Sequence, residues 1–112
     1  MHASMDSKHD YHQINISDLE SVVNISSGMD AIINLSVVRE ERRLAFDVNS
    51  QGCYNVMSAA VENGIKRVIN TGPHFTVAGP SYEDYDFAIH SFIPPQPGTY
   101  LYAHTKGLGN EI

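Results

Sequence analysis

Tyr102 and Lys106 stand four residues apart, the spacing that puts two side chains on one face of a helix. An ammonium beside a phenol favours the phenolate and lowers the phenol pKa from its usual value of about 10. Such a tyrosine can move a proton on or off a hydroxyl as an acid/base. The same spacing also arises in ordinary exposed pairs, so the weight of the signal comes from what precedes it. Thr71 ends the strand-like run KRVINT, and Ser36 follows the apolar core of another, DAIINLSVV. In an open parallel sheet, ligands bind beyond the carboxyl ends of the strands, where Ser36 and Thr71 would lie. Thr71 reads equally well as a strand-end residue bonded to its own loop.

The elements that must position these residues are legible from the hydrophobic pattern. Ile14 and Ile16 alternate with polar neighbours over residues 12–16, as in a short extended stretch. Ser17, Asp18 and Glu20 open a short helix over about residues 18–27: oxygen side chains can accept free backbone N–H groups there, and early acids suit the positive end of the dipole. Gly28 supplies its left-handed stop. Residues 30–38 are a nearly continuous apolar and β-branched run, the pattern of a strand buried on both faces. A long helix is expected over residues 40–63, ending at Gly64. Ala45, Val48, Gly52, Cys53, Val56, Met57 and Ala60 keep three-to-four spacing along it as one buried face. A second strand over 66–71 completes a βαβ unit with parallel strands and a right-handed crossover. About thirty irregular residues follow. Pro94, Pro95 and Pro97 lead into a last helix that begins near Leu101 and carries Tyr102 and Lys106.

Composition narrows the partners. Thirteen acidic and seven basic side chains give a formal charge of −6, which offers no footprint for a phosphate backbone and excludes nucleic acid as the expected partner. No apolar run approaches the roughly 18 residues needed to span a bilayer, and residues 1–12 are polar without the apolar stretch of a secretory signal. The single cysteine, Cys53, makes no intramolecular disulfide and fits a reducing cytoplasm. Residues 1–12 read as a disordered tail and 13–112 as one partial domain. His9 and His12 lack companion ligands at matching spacing, so no metal site is expected. Cys53 reads as a core residue and not a nucleophile, since nothing places a base beside it. Glu83, Asp84 and Asp86 read as a solvated loop, with no expectation of glycosidase or Mg²⁺ chemistry.

Over residues 13–112 the chain resembles the extended short-chain dehydrogenase/reductases of the NAD-dependent epimerase/dehydratase type. INISDLESV resembles the family's third-strand stretch and GMDAIINLSVV its fourth strand. DVNSQGCYNVMSAAVENGIKRVINT resembles its fourth helix and fifth strand, and YAHTK its Tyr-x-x-x-Lys motif. The fold implied is α/β, a partial Rossmann-like parallel sheet. The resemblance implies that Tyr102 is the acid/base and that Lys106 binds the nicotinamide ribose and lowers the pKa of Tyr102. Asn15 and Ile16 match the pair flanking the adenine, and Leu35, Ser36 and Val37 match the turn lining the dinucleotide. Asn49 matches the asparagine that supports the site. The cofactor implied is NAD or NADP, with a hydride passing to and from it while the tyrosine moves the proton.

The catalytic Ser/Thr position has two candidates. Counting along the strand gives Thr71, whereas counting back from Gly79 gives His74. His74 and Thr76 are otherwise candidate substrate contacts. No G-x-x-G-x-x-G precedes a helix in this sequence, although that turn is what lets backbone N–H groups hold a pyrophosphate. Strands 1 and 2 of the family also have no counterpart, so the expectation is a fragment truncated at both ends, marginal, dimer-seeking or partly molten, and inactive alone. Two functional readings follow. One is an epimerase, dehydratase or reductase segment with a small-molecule, nucleotide-sugar-like substrate. The other is a non-catalytic remnant that dimerises through helices 40–63 and 101–112.

Overall fold

A computed structural model describes residues 9–72 and 101–110. Helix α1 spans Leu19–Ser26 and strand β1 spans Ile32–Asn34. A helical run follows, in three parts: α2 over Arg42–Ala45, a π-helical turn over Phe46–Gln51 and α3 over Gly52–Glu62. Strand β2 spans Val68–Asn70, and helix α4 spans Leu101–Asn110. The βαβ unit is present as expected. β1 and β2 pair in parallel, with Ile32 opposite Val68, Ile33 opposite Ile69 and Asn34 opposite Asn70.

The strands are shorter than the apolar runs that suggested them, and there is a local cause. The Oδ1 of Asn34 accepts the Ser36 N–H at 3.1 Å. This side-chain turn takes that N–H out of the ladder, so the chain leaves the sheet at Leu35. Nor is the pair buried on both faces. Ile32 and Val68 pack on the helical layer, whereas Ile33 and Ile69 are 62% and 58% exposed. Period-two alternation therefore overrides the continuous apolar reading.

The start of the chain departs from expectation in the same way. Residues 12–16 form no strand. Instead Asn15 Oδ1 accepts from both the N–H and the hydroxyl of Ser17 at 3.0 and 2.8 Å, making a turn. Asp18 occupies the N-cap of α1 without capping its backbone. Its carboxylate accepts from the Ser21 hydroxyl. The stop is as expected, with Gly28 at φ +78°.

The helical run begins where Glu41 takes the N–H groups of Arg43 and Leu44 on its carboxylate, an N-cap in the ordinary sense. It ends at Asn63 and Gly64, the latter at φ +67°. Asn63 also donates to the Val23 carbonyl and the Ser26 hydroxyl, fastening the C-terminal end of α1 to that of α3. The principal core is Val22, Val56 and Ala59, with Ile16, Val23, Ile32 and Val68 packed against it. Gly52 is required there: a Cβ on it would lie 2.8 Å from Ile16 Cγ2. Asn55 completes the joint by donating to the Ile16 carbonyl at 2.9 Å.

Candidate active site

The site grows from the π-helical turn. Widened turns of this kind recur at functional sites, and here two consecutive residues reach one residue of α4. Asn49 Nδ2 donates to the Thr105 hydroxyl at 2.9 Å, and the Ser50 hydroxyl donates to the Thr105 carbonyl at 2.8 Å. Asn49 is fully buried and also clamps the chain beyond β1. Its Oδ1 accepts the Val38 N–H at 3.0 Å, and its Nδ2 donates to the Val38 carbonyl at 2.6 Å. One side-chain amide thus stands in for a neighbouring strand, and α4 is docked on the same group.

The approach of α4 is close because Gly109 lies against the π turn, where a Cβ would come within 2.5 Å of the Asn49 carbonyl oxygen. The Cys53 thiol donates to the Gly109 carbonyl at 3.2 Å. Cys53 is buried, as expected for a core residue. Burial pushes its pKa up, opposed in part by the charge of Lys106.

This docking delivers Lys106 to the ends of both strands. Its Nζ donates to the Ser36 carbonyl at 2.7 Å and to the Thr71 carbonyl at 3.0 Å. The residue is only 3% exposed. Burial pulls its pKa below the ordinary lysine value, and Cys53 works the other way. Tyr102 lies one turn earlier, half-buried, with the guanidinium of Arg39 5.2 Å from its ring centroid. That is a cation–π distance. The Val38 clamp holds the residue next to Arg39, so the loop that presents this cation is itself anchored.

The structure therefore brings Ser36, Thr71, Lys106 and Asn49 into one hydrogen-bonded region, with Tyr102 on the same helix. Thr71 donates its hydroxyl across the strand pair to the Asn34 carbonyl at 2.9 Å. Leu35 and Val37 are exposed beside Ser36. Asn15 and Ile16 are placed differently. Asn15 is exposed, and Ile16 faces Gly52 in the core; among the described residues no hydrogen bond ties their turn to Lys106. His74 and Thr76 lie outside the described residues. Among the described residues no group of three His, Cys, Asp or Glu side chains could hold a metal ion, and no helix is long and apolar enough to cross a membrane.

Sequence reasoning missed Asn34, Asn55 and Asn70. A signal was present: I-I-N and V-I-N are the same pattern in the two strands, each ending on an amide, and Asn34 Nδ2 donates to Asn70 Oδ1 at 2.8 Å.

A parallel βαβ unit with a Tyr-x-x-x-Lys helix docked at its strand ends defines a Rossmann-type chain of the short-chain dehydrogenase/reductase class. The chain belongs to the 3-beta hydroxysteroid dehydrogenase/isomerase family, whose model matches residues 2–107. The extended short-chain dehydrogenase/reductase resemblance is thus borne out. Among solved structures it is similar to a mutated uronate dehydrogenase, with a TM-score of 0.80 and 24% identity over 99% of this chain. It is also similar to the Bordetella bronchiseptica enzyme WbmG in complex with NAD and UDP, with a TM-score of 0.74 and 18% identity over 89% of this chain. At these identities the likeness establishes the fold. The chain spans 40% and 32% of the lengths of those two proteins. No curated protein matches it in sequence.

Proposed function

We propose that this chain carries the catalytic helix and strand ends of an NAD(P)-dependent dehydrogenase or epimerase acting on a hydroxyl or ketone of a small sugar-like substrate. The observation that carries this reading is the buried Lys106 ammonium, joined to the carbonyls of Ser36 and Thr71 on the helix that presents Tyr102. The family match and the NAD and UDP named for WbmG support the cofactor and a nucleotide-sugar-like substrate.

The residues present fit the nicotinamide-ribose end of such a cofactor. An ammonium has three N–H groups; two go to backbone carbonyls, and one is left for a ribose hydroxyl. The exposed apolar side chains of Leu35 and Val37 flank Ser36 and offer a surface for the dinucleotide. Asn15 and Ile16 are the proposed adenine contacts. No glycine-rich turn for the pyrophosphate occurs in these 112 residues, and the chain alone is proposed to be inactive. NAD, when bound, supplies the hydride acceptor and donor. Tyr102 takes or returns the proton of the substrate hydroxyl. Thr71 donates its hydroxyl to the Asn34 carbonyl here; turned to the substrate, it would donate to the substrate oxygen and orient it while that oxygen's own proton passes to Tyr102. Asn49 fixes the loop and helix around them. His74 and Thr76 are proposed substrate contacts.

The test is turnover of NAD-linked oxidation, followed by cofactor absorbance in a turnover-competent form of the protein. Tyr102→Phe removes the proton carrier, and a loss of about 10²-fold or more is expected. An unchanged rate contradicts the assigned role.

A second reading, association through a homodimer, is favoured by the outer face of α3. Tyr54, Met57, Ser58, Val61 and Glu62 line an open groove there, with Val61 83% exposed. Leu108 is exposed on α4. The helical run Arg42–Glu62 and α4 are the proposed interface, in a reducing cytoplasm. Sedimentation as a pure monomer would dismiss it.

A further inference from the structure

The hydrogen bonds around Lys106 converge on one residue that is not part of the Tyr-x-x-x-Lys motif. Asn34 closes β1 and is 5% exposed. Its backbone carbonyl accepts the Thr71 N–H at 3.1 Å and the Thr71 hydroxyl at 2.9 Å. Its side-chain Oδ1 accepts the Ser36 N–H at 3.1 Å and the Ser36 hydroxyl at 2.6 Å. Its Nδ2 donates to Asn70 Oδ1 at 2.8 Å, fixing the amide's orientation across the strand pair. The two residues held in this way, Ser36 and Thr71, are the two whose carbonyl oxygens receive Lys106 Nζ.

We propose that Asn34 is the positioning residue for Lys106. Through its main chain it fixes one carbonyl that receives the ammonium, and through its side chain it fixes the other. Backbone pairing alone would hold Thr71 in this way, because any residue at position 34 has a carbonyl. Ser36 is different. It lies beyond the sheet, and its N–H and hydroxyl both end on the Asn34 side chain. A residue without an acceptor there leaves Ser36 free to rotate, and its carbonyl turns away from Nζ. An aliphatic side chain would suit the apolar run of β1 better, yet an amide stands there and its polar atoms are partnered. Asn34 touches neither substrate nor cofactor in this scheme and acts only through Lys106. Its relevance to turnover rests on the role proposed above for Lys106, whereas the placement of the ammonium does not.

The experiment compares the full chain with Asn34→Leu, Asn34→Asp and Ser36→Ala. It reads the Lys106 ammonium directly in ¹H–¹⁵N spectra of the lysine Nζ groups, and NAD affinity by titration. In the unaltered chain the Lys106 signal is expected to exchange slowly with water, because the ammonium is buried and hydrogen-bonded. Asn34→Leu accelerates that exchange by about tenfold, as expected for losing one or two ordinary hydrogen bonds, and weakens NAD binding by a similar factor. Asn34→Asp keeps an acceptor for both Ser36 donors and restores slow exchange to within about threefold, while leucine, of similar branched shape but with no acceptor, does not. A folded Asn34→Leu chain with an unchanged Lys106 signal overturns the proposal. Should Asn34→Leu fail to fold, Ser36→Ala decides, since it removes the 2.6 Å bond from a half-buried loop residue: faster Lys106 exchange supports the proposal and unchanged exchange overturns it. A moved Lys106 signal in a chain that binds no NAD leaves Asn34 in its role and removes the cofactor reading. NAD bound equally by the unaltered and Asn34→Leu chains, with the signal moved, overturns the link from Asn34 to the site.

Discussion

Lys106 Nζ lies 2.7 Å from the carbonyl oxygen of Ser36, a residue 70 positions earlier in the chain. A second bond, to the Thr71 carbonyl at 3.0 Å, makes the same ammonium span the ends of both strands. A buried cation is costly unless it is hydrogen-bonded, and among the described residues the partners are backbone dipoles, with no carboxylate. The charge is therefore held in place without being neutralised. That is a favourable state for a group that is to meet ribose hydroxyls, and it makes the docking of α4 the step on which the site depends.

That docking runs through Asn49. Removing its side chain orphans the Val38 N–H and carbonyl and takes a donor from the Thr105 hydroxyl. Leaving buried polar groups unpaired costs about 1–3 kcal/mol, so Asn49→Ala should lower stability by that amount in denaturant titrations. Hydrogen exchange at the Val38 amide gives the specific readout. It should be protected in the unaltered chain and exposed in the variant, and equal protection in both would contradict the clamp.

The second contact of α4 is steric. A Cβ at Gly109 would sit 2.5 Å from the Asn49 carbonyl oxygen and 3.2 Å from Cys53 Cβ. Neither neighbour is the far end of a flexible side chain. Gly109→Ala should cost about 1–3 kcal/mol, the usual range for overpacking, although alanine is the better helix former. A thermal melt decides, and a variant as stable as the parent would mean that α4 does not pack this closely.

Two buried groups set opposite alkaline trends. Lys106 has its pKa lowered by burial. Between that lowered value and 10.5 the unfolded chain binds the extra proton, so stability attributable to Lys106 rises with pH through that window. Cys53 has its pKa raised from 9.0 by burial. Above 9.0 the folded chain holds the extra proton, and stability attributable to Cys53 falls as pH rises. Lys106→Met should therefore lose ground to the parent as pH climbs toward 10.5, and Cys53→Ala should gain on it above pH 9. Parallel stability–pH curves for all three chains would contradict both assignments.

The βαβ unit was readable because its evidence is periodic. Apolar runs, three-to-four spacing and the glycines at 28 and 64 each have a local physical meaning, and the element order follows. The Tyr-x-x-x-Lys helix was readable as a motif. What the pattern hid is the work of amides. Asn34, Asn49, Asn55 and Asn63 each join elements far apart in sequence. A buried asparagine looks, in a hydrophobicity pattern, like a solvated one. Asn49 was reached through the family resemblance, Asn55 and Asn34 not at all. The strand over 12–16 failed for a related reason: Asn15 turns the chain locally, a competition between side chain and backbone that alternation cannot reveal.

The central claim, that the strand ends and α4 form one dinucleotide site around Lys106, is tested most directly by titrating NAD into the ¹⁵N-labelled chain to about 1 mM, near the upper range of ordinary KM values. The account predicts shifts confined to Asn15, Ile16, Leu35, Ser36, Val37, Thr71 and the first two turns of α4, including the Lys106 ammonium, with those around the ammonium absent in Lys106→Met. Shifts gathered instead on the Tyr54–Glu62 face, or an unperturbed spectrum, would contradict it.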